Sequence, residues 1–456
     1  MPRRRLLAVA LSVPVAVVAA TTLGVGPAGA THLPATVVAG TQLPLVADGW
    51  PAAYADLVVD AHHGHVFVSG GRGTTGIVVA DLAGQLVASV PGEQGASGLA
   101  LSADGSTVYA ALTDSDSVAE IDTGTLTERG RYDLGADTCP DDLAVAGRGV
   151  WFSYGCGQDG GRIGALELPP GGSPMVSLDQ GGTWYDPPLL ASGRPGGAVL
   201  VALEYRAAPP TVTSFDVSGG TAAVRASTPL DAGAGHDLAL TPDGTRVAVS
   251  TYNSWGTSML STADLSPVDS YDTPYLSQSV AYAANGQFAG GAADLAVDAY
   301  AIGENRKVWT FAEDFGGSGL SVHALAWAPD GRRLYAVSTS DDARTPVLRV
   351  LAAPPIETFL SADLLTWPVR VRTPLTIEGR LTSEDNSLTG TRTLQVTRHD
   401  RRGLMRLPNV TTGPDGTYRL VDVPRTDGDT IYTIRFAGTE VLLPVQYTYQ
   451  LSVTRR

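Results

Sequence analysis

The sequence predicts an all-β protein, a seven-bladed β-propeller followed by one small immunoglobulin-like β-sandwich. Three observations lead to this fold class. The 456 residues include 53 Gly and 30 Pro. Short runs rich in Val, Thr, Tyr and Trp alternate with turns that contain Gly and Asp, and one two-strand pattern occurs seven times. No long stretch after the first 30 residues has helical periodicity, which is typical of a chain with many short strands.

The first 30 residues have the features of a signal peptide. Arg3, Arg4 and Arg5 precede an apolar run over residues 6–20, and residues 28–30 read Ala-Gly-Ala, a small-x-small cleavage sequence. The basic run also resembles a twin-arginine export signal, although the general secretory route is favoured. Since no later apolar run reaches the ~20 residues that span a bilayer, we expect a secreted, extracellular chain without membrane insertion.

The repeated unit is an apolar strand, a tight Gly turn and a second apolar strand. A third strand such as residues 117–122 and a more polar fourth strand such as residues 129–134 follow. The starts are 42 to 49 residues apart, a spacing that accommodates four strands per unit, as in a propeller blade. The seven units start at positions 56, 98, 142, 188, 237, 279 and 324.

Several of the tight turns contain Asp-Gly or Asn-Gly pairs. Gly105, Gly244 and Gly331 each follow an Asp, and Gly286 follows an Asn. These pairs accept the positive φ angles of a two-residue hairpin turn. The two inner strands are apolar on both faces, which predicts packing against a neighbouring blade on each side.

Closure of a ring of seven blades buries the edges of the sheets and usually needs one blade built from both chain ends. Residues 44–49 (Pro-Leu-Val-Ala-Asp-Gly) are similar to residues 229–233 (Pro-Leu-Asp-Ala-Gly), which precede another first strand. We therefore predict a propeller over residues 31–355, in which residues 36–48 supply the outer strand of the seventh blade.

The pattern changes after residue 355. Alternating apolar and polar runs occur at residues 375–381, 393–398 and 430–436. About 100 residues with this strand spacing predict an immunoglobulin-like β-sandwich over residues 356–456. This segment contains no Cys, so its core must be stabilised by packing alone.

Acidic side chains are concentrated in the predicted propeller. Residues 31–355 contain 35 acidic and 15 basic side chains, whereas residues 356–456 contain 11 and 13. A surface with this excess of carboxylates repels the phosphates of nucleic acids, so we expect no nucleic-acid partner. The same repulsion acts between copies of the chain, and we expect a monomer.

The chain contains two cysteines, Cys139 and Cys156. In an exported protein this pair predicts a disulfide, which contributes about 3 kcal/mol in the chain-entropy model for a loop of this size. Two thiols alone make a poor metal site, and a catalytic cysteine would lack an obvious histidine partner nearby.

Parts of the sequence resemble known families. The repeats with their Pro-Asp-Gly turns resemble the YVTN and lactonase-like propellers, although the YVTN sequence itself is absent and residues 107–110 (Thr-Val-Tyr-Ala) are among the nearest to it. Residues 375–451, with the runs LTIEGRLT, LQVTR and GPDGTYRLVDVP, resemble the Ig-like repeat domains of secreted proteins from high-GC Gram-positive bacteria. These resemblances imply the fold, whereas the families themselves include enzymes, binding proteins and proteins of unknown role.

The candidate ligand-binding site is the mouth of the central channel, where the loops that enter the innermost strands converge. An Asp starts three of the seven first strands, and an Asp or a His stands one residue before the start of three. A ring of carboxylates and imidazoles suits a divalent cation such as Ca²⁺ or the polarisation of a ligand carbonyl, and no other cofactor is predicted. Alternatively, each Asp caps a turn by accepting backbone hydrogen bonds. The residues of this candidate site are Asp56, Asp141, Asp142, His236, Asp237 and His323.

Two further features each have a functional and a structural interpretation. Residues 62–65 (His-His-Gly-His) resemble a metal-binding tract, but they replace an Asp-Gly turn, which favours exposed turn histidines. Residues 182–186 and 252–256 place Trp and Tyr in blade connections. Exposed aromatic side chains stack on sugar rings or on partner side chains, whereas packing between blades is the favoured interpretation.

The sequence contains no Gly-x-Ser-x-Gly elbow, no P-loop and no His-Glu-x-x-His motif. We therefore expect a secreted, non-enzymatic binding protein. Its propeller would be the platform for an unknown protein or for a cell-wall or polysaccharide ligand, and its Ig-like module would be a spacer or adhesion unit. The alternative is a metal-assisted lactonase or hydrolase with its site at the channel mouth, because propeller enzymes gather their site residues from several blades.

Overall fold

The computed structural model describes residues 36–45, 54–157, 160–194, 196–205, 207–252, 255–292, 297–311, 318–340 and 346–455. The regular structure of these residues is all β-strand, and none of them forms a helix that is long and apolar enough to cross a bilayer. The predicted signal peptide lies outside the described residues. The chain divides into two compact units. The first comprises the chain up to Ile356 together with the short segment Ser383–Ser387, and the second comprises Glu357–Thr382 and Leu388–Arg456.

The first unit is a succession of seven four-stranded antiparallel sheets within the described residues. Strands are numbered in chain order, and β1 (Thr36–Gln42) belongs to the seventh sheet. Sheets 1 to 3 contain β2 (Leu57–Asp60), β3 (His65–Val68), β4 (Thr75–Asp81) and β5 (Leu86–Gln94); β6 (Ala96–Leu101), β7 (Thr107–Leu112), β8 (Ser117–Asp122) and β9 (Thr127–Asp133); and β10 (Pro140–Ala146), β11 (Gly149–Tyr154), β12 (Gly161–Glu167) and β13 (Met175–Trp184).

The remaining sheets of this unit repeat the arrangement. Sheets 4 to 7 contain β14 (Leu189–Ser192), β15 (Val199–Leu203), β16 (Thr211–Asp216) and β17 (Ala223–Pro229); β18 (Gly235–Leu240), β19 (Arg246–Thr251), β20 (Thr257–Ser261) and β21 (Pro267–Tyr271); β22 (Ser277–Tyr282), β23 (Phe288–Ala292), β24 (Val297–Tyr300) and β25 (Lys307–Thr310); and β26 (Ser318–Trp327), β27 (Arg333–Ser340) and β28 (Val347–Ala352) with β1.

Strand β1 is the outer strand of sheet 7, although it lies at the other end of the sequence. It pairs antiparallel with β28, with Thr36 opposite Ala352 and Gln42 opposite Val347. Leu43 and Leu45, which follow β1, are buried. Residues 46–48 of the predicted closing segment lie outside the described residues.

The first strands of neighbouring sheets contact one another from β2 through β6, β10, β14, β18 and β22 to β26, and β26 contacts β2. The apolar core lies between adjacent sheets. Phe67 and Ile77 of sheet 1, for example, pack with Leu99 and Val108 of sheet 2, and burial of each such side chain stabilises the fold by about 1.5–3 kcal/mol. Repeated four-stranded antiparallel sheets packed in this way fit a β-propeller.

The predicted tight turns have the expected backbone conformation. Gly105, Gly244 and Gly331 have φ angles of 70°, 70° and 65°. In the first of these turns, Oδ1 of Asp104 accepts a hydrogen bond from the backbone N–H of Ser106 at 3.0 Å. The turn therefore uses both members of the Asp-Gly pair, the Gly for its φ angle and the Asp for its carboxylate.

The disulfide between Cys139 and Cys156 is confirmed. Cys139 directly precedes β10 and Cys156 follows β11, so the bond joins the open end of one hairpin. The backbone N–H of Cys139 also donates a hydrogen bond to Oδ1 of Asp116 at 2.7 Å, which ties this hairpin to the connection between β7 and β8 in sheet 2.

The second unit contains two small antiparallel sheets. Alternate residues of its long strands, such as Leu375 and Ile377 or Tyr432 and Ile434, are buried, as expected for strands with one face on a core. One sheet contains β29 (Thr358–Leu360), β30 (Asp363–Leu364), β31 (Leu375–Ser383) and β35 (Thr417–Asp422), and the other β32 (Thr393–Asp400), β33 (Gly403–Arg406), β34 (Val410–Thr411), β36 (Gly428–Phe436) and β37 (Val445–Val453).

Candidate functional site

Three aspartates take the same position in alternate sheets of the first unit. Asp56 directly precedes β2 of sheet 1, Asp142 lies near the start of β10 in sheet 3, and Asp237 lies near the start of β18 in sheet 5. All three side chains are buried. Buried carboxylates require hydrogen-bond donors, and the backbone supplies them at all three positions.

Each of these carboxylates connects two neighbouring sheets, and we call the three residues the Asp clamps. One oxygen accepts a hydrogen bond from the next N–H in its own chain segment, and the other accepts one from the first strand of the following sheet. Hydrogen bonds to a charged group contribute about 1.5–3 kcal/mol each. The donors are Leu57 (2.7 Å) and Leu99 (2.7 Å) for Asp56, Leu143 (2.7 Å) and Leu190 (2.6 Å) for Asp142, and Leu238 (2.8 Å) and Val280 (2.8 Å) for Asp237.

His323 occupies the corresponding position in sheet 7. The next N–H, that of Ala324, donates to Oγ of Ser279 in sheet 6 at 2.8 Å, as the N–H of Leu99 donates to Asp56. The sequence repeat predicts that His323 lies one residue before the start of a first strand, at position 324. The irregular pairing in β26 between Leu320 and Leu325 moves the register by one residue, and His323 has a φ of 54°, which is uncommon for a non-glycine residue.

The imidazole of His323 lies between two of the Asp clamps. Its Nδ1 is 2.7 Å from Oδ1 of Asp237 and its Nε2 is 3.4 Å from Oδ1 of Asp56. Burial lowers the pKa of His323, but the carboxylates of Asp237, Asp56 and Asp142 outweigh this effect and raise the pKa well above its usual value. The raised pKa favours the protonated imidazole, which forms a hydrogen bond with Asp237 through Nδ1 and an ion pair with Asp56 through Nε2.

Burial has the opposite effect on the carboxylates. It raises the pKa of Asp56 to about 6 and that of Asp142 to about 7, while the charge of His323 lowers both values in part. The three Asp clamps and His323, which we call the central cluster, thus place one positive charge among three acidic groups.

The donor set of the central cluster fits its own imidazolium better than Ca²⁺. Asp56, Asp142 and His323 each offer one potential metal-ligand atom, and these three atoms lie within 4.8 Å of one another. Ca²⁺, however, takes about six to eight oxygen ligands, and these carboxylates already accept backbone N–H groups. Only neutral imidazole binds a metal, so a cation would first have to displace the proton of His323.

The other two predicted site residues lie outside the central cluster. The side chain of Asp141 is exposed. His236 contacts the Tyr252 ring edge-on at 5.6 Å between ring centroids, and its Nδ1 is 3.2 Å from the carbonyl oxygen of Ser277. Asp141 and His236 thus lie one residue before Asp142 and Asp237, outside the central cluster.

The histidine-rich turn of residues 62–65 makes local hydrogen bonds. Nδ1 of His63 lies 2.9 Å from Oδ2 of Asp60 and 3.0 Å from Oγ1 of Thr123. Nδ1 of His65 lies 2.9 Å from the carbonyl oxygen of Thr123. These bonds connect the turn in sheet 1 to the turn after β8 in sheet 2, which is a structural role.

The exposed side chains of Tyr185, Tyr252 and Trp255 and the half-buried side chain of Tyr275 occur in connections at the same end of the sheets as the central cluster. Connections into a first strand and those between second and third strands share one end, because successive strands are antiparallel. Tyr185 lies in the β13–β14 connection, Tyr252 and Trp255 in β19–β20, and Tyr275 in β21–β22. We call these four residues the aromatic band. Trp255 is 82% exposed, and its ring lies 4.9 Å from that of Tyr275.

Three residues that contact the central cluster were not predicted as site residues from the sequence. Ser69 and Ser153 are buried and accept the backbone N–H of Asp56 and Asp142 through Oγ, each at 3.1 Å. The Tyr54 hydroxyl donates to the carbonyl oxygen of His323 at 2.6 Å. The repeats that begin with Asp have a Ser at the end of their second strand, and this pattern is the one sequence signal that predicts the role of the serines. No sequence signal predicts the contact of Tyr54.

Comparisons with known proteins add a likeness of structure. No protein-family model matches the sequence, and no curated protein matches it. Among solved structures, the chain is similar to hydrazine synthase from Kuenenia stuttgartiensis, with 15% sequence identity and a TM-score of 0.49 over 66% of this chain and 96% of that chain. A likeness at this level carries nothing about activity.

Proposed function

We propose that this protein is a secreted, non-enzymatic binding protein. Its first unit is a seven-bladed propeller closed by β1, and its second is an Ig-like module that serves as a spacer or adhesion unit. The closed series of contacts from β2 to β26 and back supports the propeller assignment. The two small antiparallel sheets with alternating burial support the Ig-like assignment.

The observation that carries the binding function is the contrast between two groups of side chains at one end of the propeller. The carboxylates of the central cluster are engaged with backbone N–H groups and with His323, so they stabilise the ring. The aromatic band at the same end exposes large rings, with Trp255 82% exposed. Exposed Trp and Tyr are typical of residues that dominate binding to a partner.

A metal-assisted hydrolase is the second candidate. It is favoured by the approach of Asp56, Asp142 and His323 to within 4.8 Å of one another and by carboxyl groups with pKa values of about 6 and 7. Groups that titrate near neutral pH suit general acid–base chemistry. The candidate requires that a cation replace the proton on His323.

One set of measurements on the chain lacking residues 1–30 separates the candidates. Our proposal predicts that the divalent metal content stays well below one ion per chain. It also predicts adsorption to at least one of three supports, namely peptidoglycan, a neutral glycan or immobilised basic peptides, which Trp255→Ala reduces. The matched control is Trp367→Ala, because Trp367 is 74% exposed but lies in the second unit. A stoichiometric ion that is lost in Asp142→Ala, together with lactone hydrolysis, would favour the hydrolase.

A further inference from the structure

Carboxylates occur in connections at the same end of the sheets as the aromatic band, namely β15–β16, β17–β18 and β21–β22. Oε1 of Glu204 accepts a hydrogen bond from the backbone N–H of Tyr185 at 3.4 Å, next to an isolated bridge between Tyr205 and Gly235. Gly235 precedes His236, whose ring contacts Tyr252. Glu204 therefore contacts the segment of Tyr185, and the residue after it pairs with the segment that contacts Tyr252.

Two more carboxylates belong to segments whose backbone contacts the segment of the exposed Tyr252 and Trp255. Asp231 is two residues from Gly233, which lies against the backbone carbonyl of Tyr252. The carbonyl oxygen of Tyr271 lies close to Gly256, which follows Trp255 in the chain, and Asp272 follows Tyr271. Both Asp side chains are exposed. The aromatic rings are thus accompanied by three acidic groups from three different connections.

Among the described residues, Glu204, Asp231 and Asp272 form no salt bridge, whereas other acidic groups of the same unit do. Asp216 pairs with Arg225 at 3.0 Å and Asp298 with Lys307 at 3.2 Å. An acidic surface whose carboxylates lack basic partners attracts cations. The exposed rings beside them add the second component of cation recognition, because an aromatic face attracts a Lys or Arg head group.

We propose that the aromatic band, with Glu204, Asp231 and Asp272, binds a basic segment of a partner protein, rich in Lys and Arg. This proposal rests on the proposed binding function and names its ligand class. The Lys or Arg head groups stack on Trp255 and Tyr252, and the three carboxylates supply the opposite charge. The net charge of −20 over residues 31–355 strengthens the attraction and disfavours anionic partners.

The test uses the chain lacking residues 1–30 and fluorescent peptides that differ in Lys and Arg spacing, with their fully Lys-acetylated, Arg-to-Gln counterparts as neutral probes. We expect the basic peptides to bind, the neutral ones to bind at least about five-fold more weakly, and binding to weaken as salt is added. Trp255→Ala should also weaken binding about five-fold, whereas Trp367→Ala should leave it unchanged.

A second pair of variants separates this surface from net charge alone. The triple variant Glu204→Gln, Asp231→Asn, Asp272→Asn removes three charges from the proposed surface. The triple variant Asp104→Asn, Asp243→Asn, Asp330→Asn removes three charges from the tight turns at the opposite end of the sheets. We expect the first to weaken peptide binding about ten-fold and the second at most about two-fold.

Equal effects of the two triple variants, equal binding of neutral peptides, or no binding of any basic peptide would overturn the proposal. Adsorption to a neutral glycan that Trp255→Ala abolishes would overturn the basic-peptide assignment and leave the binding function intact. A stoichiometric metal with lactone hydrolysis, and no binding that depends on Trp255, would overturn both.

Discussion

Nδ1 of His323 lies 2.7 Å from Oδ1 of Asp237, although the two residues are 86 positions apart and belong to sheets 7 and 5. The pair explains how three acidic groups remain buried near one another. Carboxylates in a low-dielectric site repel one another and are costly to ionise. His323 supplies the compensating charge, and its carbonyl oxygen accepts the Tyr54 hydroxyl from the segment before sheet 1.

Substitution of His323 by Asn should destabilise the protein by about 3–5 kcal/mol at pH 7, because it removes one partner of a buried ion pair. Asn tolerates the positive φ of this position, so backbone strain does not contribute. The free energy of unfolding from urea titration measures the effect. His236→Asn is the control, since His236 contacts Tyr252 rather than a clamp. Equal stability of the two variants would contradict a central ion pair.

Stability should depend on pH through Asp142, whose pKa burial raises from 3.8 to about 7. A carboxyl with a raised folded-state pKa stabilises the fold below its unfolded pKa, and this contribution is lost as pH rises through the folded pKa. The wild type should therefore lose roughly 4 kcal/mol relative to Asp142→Asn between pH 4 and pH 8.

Urea unfolding of both proteins across this range measures the difference. Surface carboxyls such as Asp104, whose hydrogen bonds lower its pKa to about 2, stay ionised throughout and do not contribute. Asp141→Asn is the matched control, because Asp141 is adjacent but exposed. If the wild type and Asp142→Asn changed in parallel with pH, the raised pKa would be wrong.

Gly98 takes the position in sheet 2 that Asp56 takes in sheet 1. A Cβ there would lie 2.6 Å from Cα of Asp142 and 2.7 Å from the backbone N of Leu143, so Gly98→Ala must displace the backbone of sheet 3. We expect a loss of about 1–3 kcal/mol, as for an overpacked core. Gly157→Ala is the control, since among the described residues no atom outside its two chain neighbours lies within 4 Å of its Cβ position. Similar melting temperatures for both variants would contradict the close packing of the first strands.

Removal of the segment before residue 50 should lower the melting temperature by on the order of 10 °C. The loss removes β1 from β28 and takes away Leu43 and Leu45, whose burial contributes about 1.5–3 kcal/mol each. A chain starting at residue 32, which keeps β1, is the control in thermal unfolding. If the two chains melted together, β1 would not close the propeller.

Many features of the first unit could be predicted from the sequence, because they depend on residues that are neighbours in the chain. Asp-Gly pairs predicted the turns at Gly105, Gly244 and Gly331, because few residues other than Gly accept their φ angles. The predicted export signal and the seventeen-residue spacing predicted the disulfide between Cys139 and Cys156. The repeat predicted an all-β chain with four strands per unit, because strand periodicity and turn chemistry are properties of neighbouring residues.

The sequence by itself therefore determined the strands, the turns and the set of candidate residues. Only the tertiary structure decided what those residues do. Asp56, Asp142 and Asp237 receive their second hydrogen bonds from residues 43 to 48 positions away, and His323 joins them from a fourth sheet. Likewise Trp184 is buried and the adjacent Tyr185 exposed. Which groups meet, and which face water, depends on the packing of sheets that are distant in the chain, and no local pattern encodes it.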